Sequence, residues 1–249
     1  MLFRSGDAGT MVEFSVIRVR RSEPSKMTVT RAAYTYPQVT GKLQGQVGII
    51  SVQGLQPGRV KEVASQISSL EKQGAKKLVL DLRHSTTGNP EEGVALANLF
   101  MDSGLITYTQ GQKMARQDFQ AAQSKAVTKL PLAVIINRST AGPAEVAAAA
   151  LLNSKRAQLV GERTFGDAAI RKTLTLNDGS AVILSVAKYY SPEGKSIQDN
   201  GVTPNVLQAE TDLTADVPAD DNLPDLTPDD AAKKPGTDEL LNKAIQVLN

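Results

Sequence analysis

Leu132-Ala133-Val134-Ile135-Ile136-Asn137 is an unbroken apolar run that ends in a polar residue, and a run of that length fits a strand buried on both faces. Two more stretches read the same way. Val47-Gly48-Ile49-Ile50-Ser51-Val52 is one, and Lys77-Leu78-Val79-Leu80-Asp81-Leu82-Arg83 is the other. Between them, Val60, Val63, Ile67 and Leu70 recur at helical spacing, with Gly74 where a helix would stop. Val94, Leu96, Ala97 and Phe100 predict a second helix over 90–100, and Ala-rich Pro143 to Leu152 a third with Glu145 in its first turn. With 249 residues, 41% of them hydrophobic, the chain can bury one substantial core and a smaller appendage.

The flanks read differently. Gly9 to Val19 alternates apolar and polar residues like a half-buried strand, and Met27 to Arg31 follows a turn at Ser22-Glu23-Pro24-Ser25 as a second strand. Two strands alone make a marginal hairpin. Residues 34–42 read as a linker, Gly104 to Thr109 as a strand, Asp118 to Lys129 as polar loop or helix, and Arg156 to Gly161 as a short strand. Leu174 to Leu176 and Ala181 to Ala187 flank Asn177-Asp178-Gly179-Ser180, a hairpin signature with Asp-Gly at the turn. Residues 208–236 form an acidic, Pro-containing linker with few large apolar side chains, read as disordered or extended, and 237–249 a short amphipathic helix.

Composition removes several function classes. There is no cysteine, so disulfides, thiolate metal sites and cysteine nucleophiles are absent, and with one histidine a zinc site is not expected; no metal or other cofactor is called for. No stretch reaches the length of a membrane span, and Met1 to Asp7 lacks the apolar region of a signal peptide. Residues 1–208 carry 25 basic and 16 acidic side chains (+9), and 209–249 carry 3 and 10 (−7). A basic body can indicate nucleic acid, but apart from Arg18, Arg20 and Arg21 the cations are scattered and aromatic residues make up only 4%, so a nucleic-acid partner is not expected.

Several motifs are more specific. Ser139-Thr140-Ala141-Gly142-Pro143-Ala144-Glu145-Val146 is followed by Gly161-Glu162-Arg163-Thr164-Phe165-Gly166-Asp167, and Asp81-Leu82-Arg83 precedes a loop ending in Gly88. Lys188-Tyr189-Tyr190-Ser191-Pro192-Glu193-Gly194-Lys195-Ser196-Ile197-Gln198 and Gly201-Val202-Thr203-Pro204-Asn205 complete the set. The chain resembles the C-terminal processing (tail-specific) serine peptidases over about residues 9–207 and the terminal helix. The resemblance implies an α/β fold with a Clp-protease/crotonase-like core at 42–207 and flanking helices. It also implies that residues 1–33 are the closing strands of a truncated PDZ domain whose carboxylate-binding loop would lie before Met1. The implied compartment is the bacterial periplasm or exterior, and the implied partner is a polypeptide; oligomeric state is left open.

In that family a Ser nucleophile lies three residues before the Glu, a Lys base directly after F-G, and a Gln four residues later. Here those positions hold Gly142, Asp167 and Arg171. Glycine has nothing to attack with, and a carboxylate is a far weaker base than a desolvated lysine. Pro143 has no N–H for an oxyanion where the residue after the nucleophile commonly gives one. The glycine loop is altered too: Gly88 matches the family's second glycine, while Thr87 replaces the first. The expected activity is therefore none by the family mechanism, with a peptide groove retained at Gly88, Pro143 and Gly166. Two alternatives stand beside it. One is a working endopeptidase with a displaced set drawn from Ser139, Thr140 and His84, such as a Ser139–His84–Asp167 relay. The other is an architectural module of an envelope assembly. Asp81 and Arg83 have either a substrate role or a structural one, as an ion pair or cap, and Lys172 is expected to face solvent.

Overall fold

A computed structural model of the chain describes residues 6–17, 23–209 and 238–248. Arg18, Arg20, Arg21, the start of the 22–25 turn and most of the acidic linker lie outside the described residues. The chain divides into two compact units, 1–37 and 38–249. In the first, β1 (Met11–Val16) pairs antiparallel with β2 (Ser25–Thr30), with Met11 opposite Thr30 and Val16 opposite Ser25.

The second unit is built on a six-stranded sheet in the order β12-β9-β8-β5-β4-β3. Its strands are β3 (Thr40–Gln44), β4 (Val47–Ser51), β5 (Lys77–Asp81), β8 (Leu132–Ile136), β9 (Ala157–Gly161) and β12 (Val206–Leu207). All neighbours are parallel except β3, which pairs antiparallel with β4. The three apolar runs are thus the central strands, and both their faces are covered. On one face, Ile50, Leu78, Leu80, Val134, Ile136 and Leu159 pack with buried residues of α1 (Arg59–Lys72), α2 (Pro90–Asn98) and α3 (Pro143–Asn153). On the other, Ile49, Val79, Ala133, Ile135 and Val160 meet Leu240 and Ala244 of α4 (Glu239–Gln246). Residues one apart point to opposite faces, so a strand covered twice has to be apolar throughout.

Arg83 fixes α4 in place. Its guanidinium reaches Asp81 and Asp238 at 2.7 Å each, and the Asp238 side chain caps the helix by accepting from Leu241 N–H at 3.0 Å. The structural alternative for Asp81 and Arg83 is the one realised. Gly93 lets α2 approach the start of α3, since a Cβ there would lie 2.3 Å from the Pro143 carbonyl oxygen.

A four-stranded antiparallel sheet, β10-β11-β6-β7, completes the unit. Its strands are β6 (Leu105–Gly111), β7 (Met114–Gln120), β10 (Ala169–Thr175) and β11 (Ala181–Tyr190). The reading of 118–129 as loop or helix is corrected in part: Asp118–Gln120 finish β7, and only Gln123–Lys125 are helical, as a 3₁₀ turn. The linker reading of 34–42 misses β3, which begins at Thr40.

Candidate functional site

The site forms where β8 and β5 end. Thr140 is fully buried; its hydroxyl donates to the Leu82 carbonyl at 2.9 Å and accepts from Asn137 N–H at 3.0 Å. Ala141 N–H bonds the Ser85 carbonyl at 2.9 Å. These bonds tie the 137–141 loop to the end of β5 and aim the chain into α3. Gly142 is the turning point, at φ 62° and ψ −123°, a region that residues with a Cβ avoid. Pro143 follows at the first helical position, where its fixed φ suits the turn and its missing N–H removes no helical bond.

Glu145 organises everything around this turn. Its carboxylate is completely buried and accepts four hydrogen bonds: from Gly142 N–H (3.0 Å), Gly166 N–H (2.7 Å), Asp167 N–H (2.7 Å) and the Thr164 hydroxyl. Thr164 in turn accepts from Val202 N–H at 2.7 Å. Burial pushes the Glu145 carboxyl above the ordinary carboxylate range against the pull of those four donors. The helix start and the 164–167 loop are therefore one hydrogen-bonded unit.

Gly88, Gly142, Pro143, Asp167 and Arg171 line a single groove of about 280 Å³, together with Thr86, Thr87, Pro90, Val146, Ala168, Ala169 and Tyr189. The fold brings these lining residues together from four separate segments, 86–90, 142–146, 167–171 and Tyr189. Asp167 and Arg171 form an ion pair at the groove wall, with side chains 38% and 43% exposed. Above Gly142 there is room: a Cβ would find only the Asp167 carbonyl oxygen, 3.7 Å away. Gly88 sits at φ 143°, against Leu55 so closely that a Cβ would fall 2.2 Å from the Leu55 oxygen, and its N–H bonds no other group among the described residues. Gly166 does not line the groove; it is buried behind it, beside Gly201.

The displaced set is not assembled. His84 and Ser139 are exposed and line no part of the groove, and neither hydrogen-bonds to Asp167, whose carboxylate is engaged by Arg171. The Thr140 hydroxyl is buried and held by structural bonds, its proton going to the Leu82 carbonyl. Tyr189 is the ionisable groove residue to which the sequence assigned no role. Burial, with a smaller contribution from Glu91, pushes its phenol up to about 12. The tyrosine lies inside a recognisable motif, but nothing in the motif says that it faces the groove. Among the described residues no group of three or more acidic or imidazole side chains could hold a metal ion, and no helix is long and apolar enough to cross a membrane.

The sequence pattern of peptidase family S41 matches residues 46–208. The chain is 34% identical over 205 residues to a carboxyl-terminal-processing protease of Synechocystis sp., covering 80% of this chain and 48% of that one. It is also 34% identical over 206 residues to a carboxy-terminal processing protease of Bacillus subtilis, covering 81% and 42%. The chain thus spans about half the length of these curated relatives. Among solved structures, the photosystem II D1 C-terminal processing protease superposes with a TM-score of 0.69 at 30% identity, over 82% of this chain and 57% of that one. The same strands, helices and loop motifs that build the groove are those the pattern covers, and the chain belongs to peptidase family S41, among the C-terminal processing peptidases.

Proposed function

We propose that the chain is a catalytically degenerate C-terminal processing peptidase that binds extended or unstructured polypeptide in the Gly88–Gly142 groove without hydrolysing it. The observation that carries this reading is Gly142 followed by Pro143 at the mouth of α3. The position that would present a nucleophile has no side chain, and the next residue has no amide to hold an oxyanion. Loss of one oxyanion donor alone costs about 3 to 4 kcal/mol of transition-state stabilisation. The base position adds nothing, because Asp167 is already bound to Arg171. Binding has no such requirement: an extended peptide held by main-chain pairing needs a sheet edge and a shaped groove rather than a reactive group. On the same reading, β1 and β2 are the closing strands of a PDZ domain, and the bacterial periplasm or exterior is the compartment.

The test combines three measurements. Fluorophosphonate treatment with intact-mass readout leaves the chain unlabelled, and an unfolded protein substrate stays intact over long incubation. A peptide array retains extended sequences. Labelling at Ser139, or hydrolysis by the natural sequence, would overturn the degenerate assignment, and an array with no retained peptide would leave an architectural role. Restoring Gly142→Ser, Pro143→Ala, Asp167→Lys and Arg171→Gln together yields partial hydrolysis.

A further inference from the structure

The far half of the β10–β11 hairpin leaves its sheet. β6 pairs only with Lys188–Tyr190 of β11, so from Ala187 outward the two strands form a ribbon with both edges unpaired. A bulge at Val186, between the pairs Ile170–Ala187 and Arg171–Ser185, sets the direction of departure. That bulge is pinned: the Val186 carbonyl oxygen lies where a Cβ on Gly111 would be, 2.0 Å away, so β6 presses backbone against backbone there.

The ribbon carries an apolar face. Leu174 is opposite Val182 and Lys172 opposite Leu184, and Leu176 N–H bonds the Ser180 carbonyl at 2.7 Å, so Leu174, Leu176, Val182 and Leu184 share one side. Their exposures are 49, 47, 39 and 44%. A two-stranded ribbon gains little stability alone, and exposed apolar stripes of this kind mark contact surfaces. Its charges are also ordered along its length. Lys172, at the base, has no ion-pair or hydrogen-bond partner among the described residues, and Asp178, at the tip about 20 Å away, bonds only Ser180.

We propose that this ribbon docks, apolar face to apolar face and antiparallel, on the same ribbon of a second copy of the chain. A two-fold axis through the middle of the stripe puts the tip of each ribbon over the base of the other. Asp178 of one copy then meets Lys172 of its partner twice, whereas a parallel alignment would bring like charges together. The two apolar stripes bury each other. One ribbon face is smaller than the roughly 1,000 Å² of a stable interface, so the dimer is weak and concentration-dependent.

Sedimentation velocity on the whole chain, from low to high micromolar protein, reads this directly. Self-association is expected, weakened by added salt. Leu184→Lys, at an exposed position that leaves the fold intact by circular dichroism, raises the dissociation constant about tenfold or more. Lys172→Asp and Asp178→Lys each weaken it several-fold, and the two together restore it. A monomer at every concentration overturns the proposal, including one that binds only some other polypeptide. A dimer indifferent to Leu184→Lys, or a double charge reversal that restores nothing, overturns it equally.

Discussion

Gly142→Ser is the most informative single substitution, because it asks what a nucleophile at this position would cost the fold. Sterics contribute little: the new Cβ has only the Asp167 carbonyl oxygen nearby, at 3.7 Å. The backbone contributes more. At φ 62° and ψ −123° a residue with a Cβ lies outside even the left-handed helical basin, and such positions cost about 1–3 kcal/mol. Serine restricts the unfolded chain more than glycine does, which offsets about 0.4–1 kcal/mol. The net expectation is a loss of about 1–2 kcal/mol, or about 2–8 °C in melting temperature for a chain of this size. Urea unfolding with unchanged m-value, beside a calorimetric scan, measures it. The turn is held by Glu145, through Gly142 N–H, so it cannot relax without breaking a buried hydrogen bond. A serine variant as stable as the parent, or more so, would refute the claim that the turn is strained. The single variant should also hydrolyse nothing, since Asp167 stays bound to Arg171 and Pro143 still lacks an N–H.

Gly93→Ala forces a Cβ into the Pro143 carbonyl and is expected to destabilise by about 1–3 kcal/mol, read as a lowered urea midpoint. Asp238→Ala removes the cap of α4 and one of the two carboxylates on Arg83; a loss of about 1–2 kcal/mol is expected, with amide exchange accelerating first at Leu240 to Ala244. Tyr189 ionises at about 12 in the fold against an ordinary 10.0, so its contribution is complete below pH 10 and is lost as pH rises through 12. Tyr189→Phe should therefore show a smaller fall in melting temperature between about pH 9 and 11 than the parent, and an equal fall would count against burial of the phenol.

The central strands were legible because burial on both faces keeps β8, the buried middle of β5 (Leu78–Leu80) and β4 apolar or small, and α1 because Val60, Val63, Ile67 and Leu70 are all buried. β7 was not. Its Arg116, Gln117 and Asp118 are exposed along with most of the strand, so it leaves no apolar period to read. β3 escaped for the same reason, as an edge strand whose Thr40, Gly41 and Lys42 face solvent. At the site, the motifs name Gly142, Asp167, Arg171 and Gly88, which line one groove, but the role of Glu145 as a four-bond acceptor depends on groups from two segments that no local pattern reports. The clasp between Arg83 and Asp238 spans 155 positions and could come only from the fold. Gly166 shows the limit of motif reading in the other direction: it belongs to the matching stretch yet supports the groove from behind.

The position of Glu145 has a consequence for how such a site can change over time. One sealed carboxylate fixes the spacing between two places twenty-five residues apart in the chain, Gly142 and Asp167. It grips their main-chain amides and not their side chains, so the spacing does not depend on which side chain either place carries. A substitution at either place therefore changes the chemistry on offer while the buried carboxylate keeps the two places at a set distance.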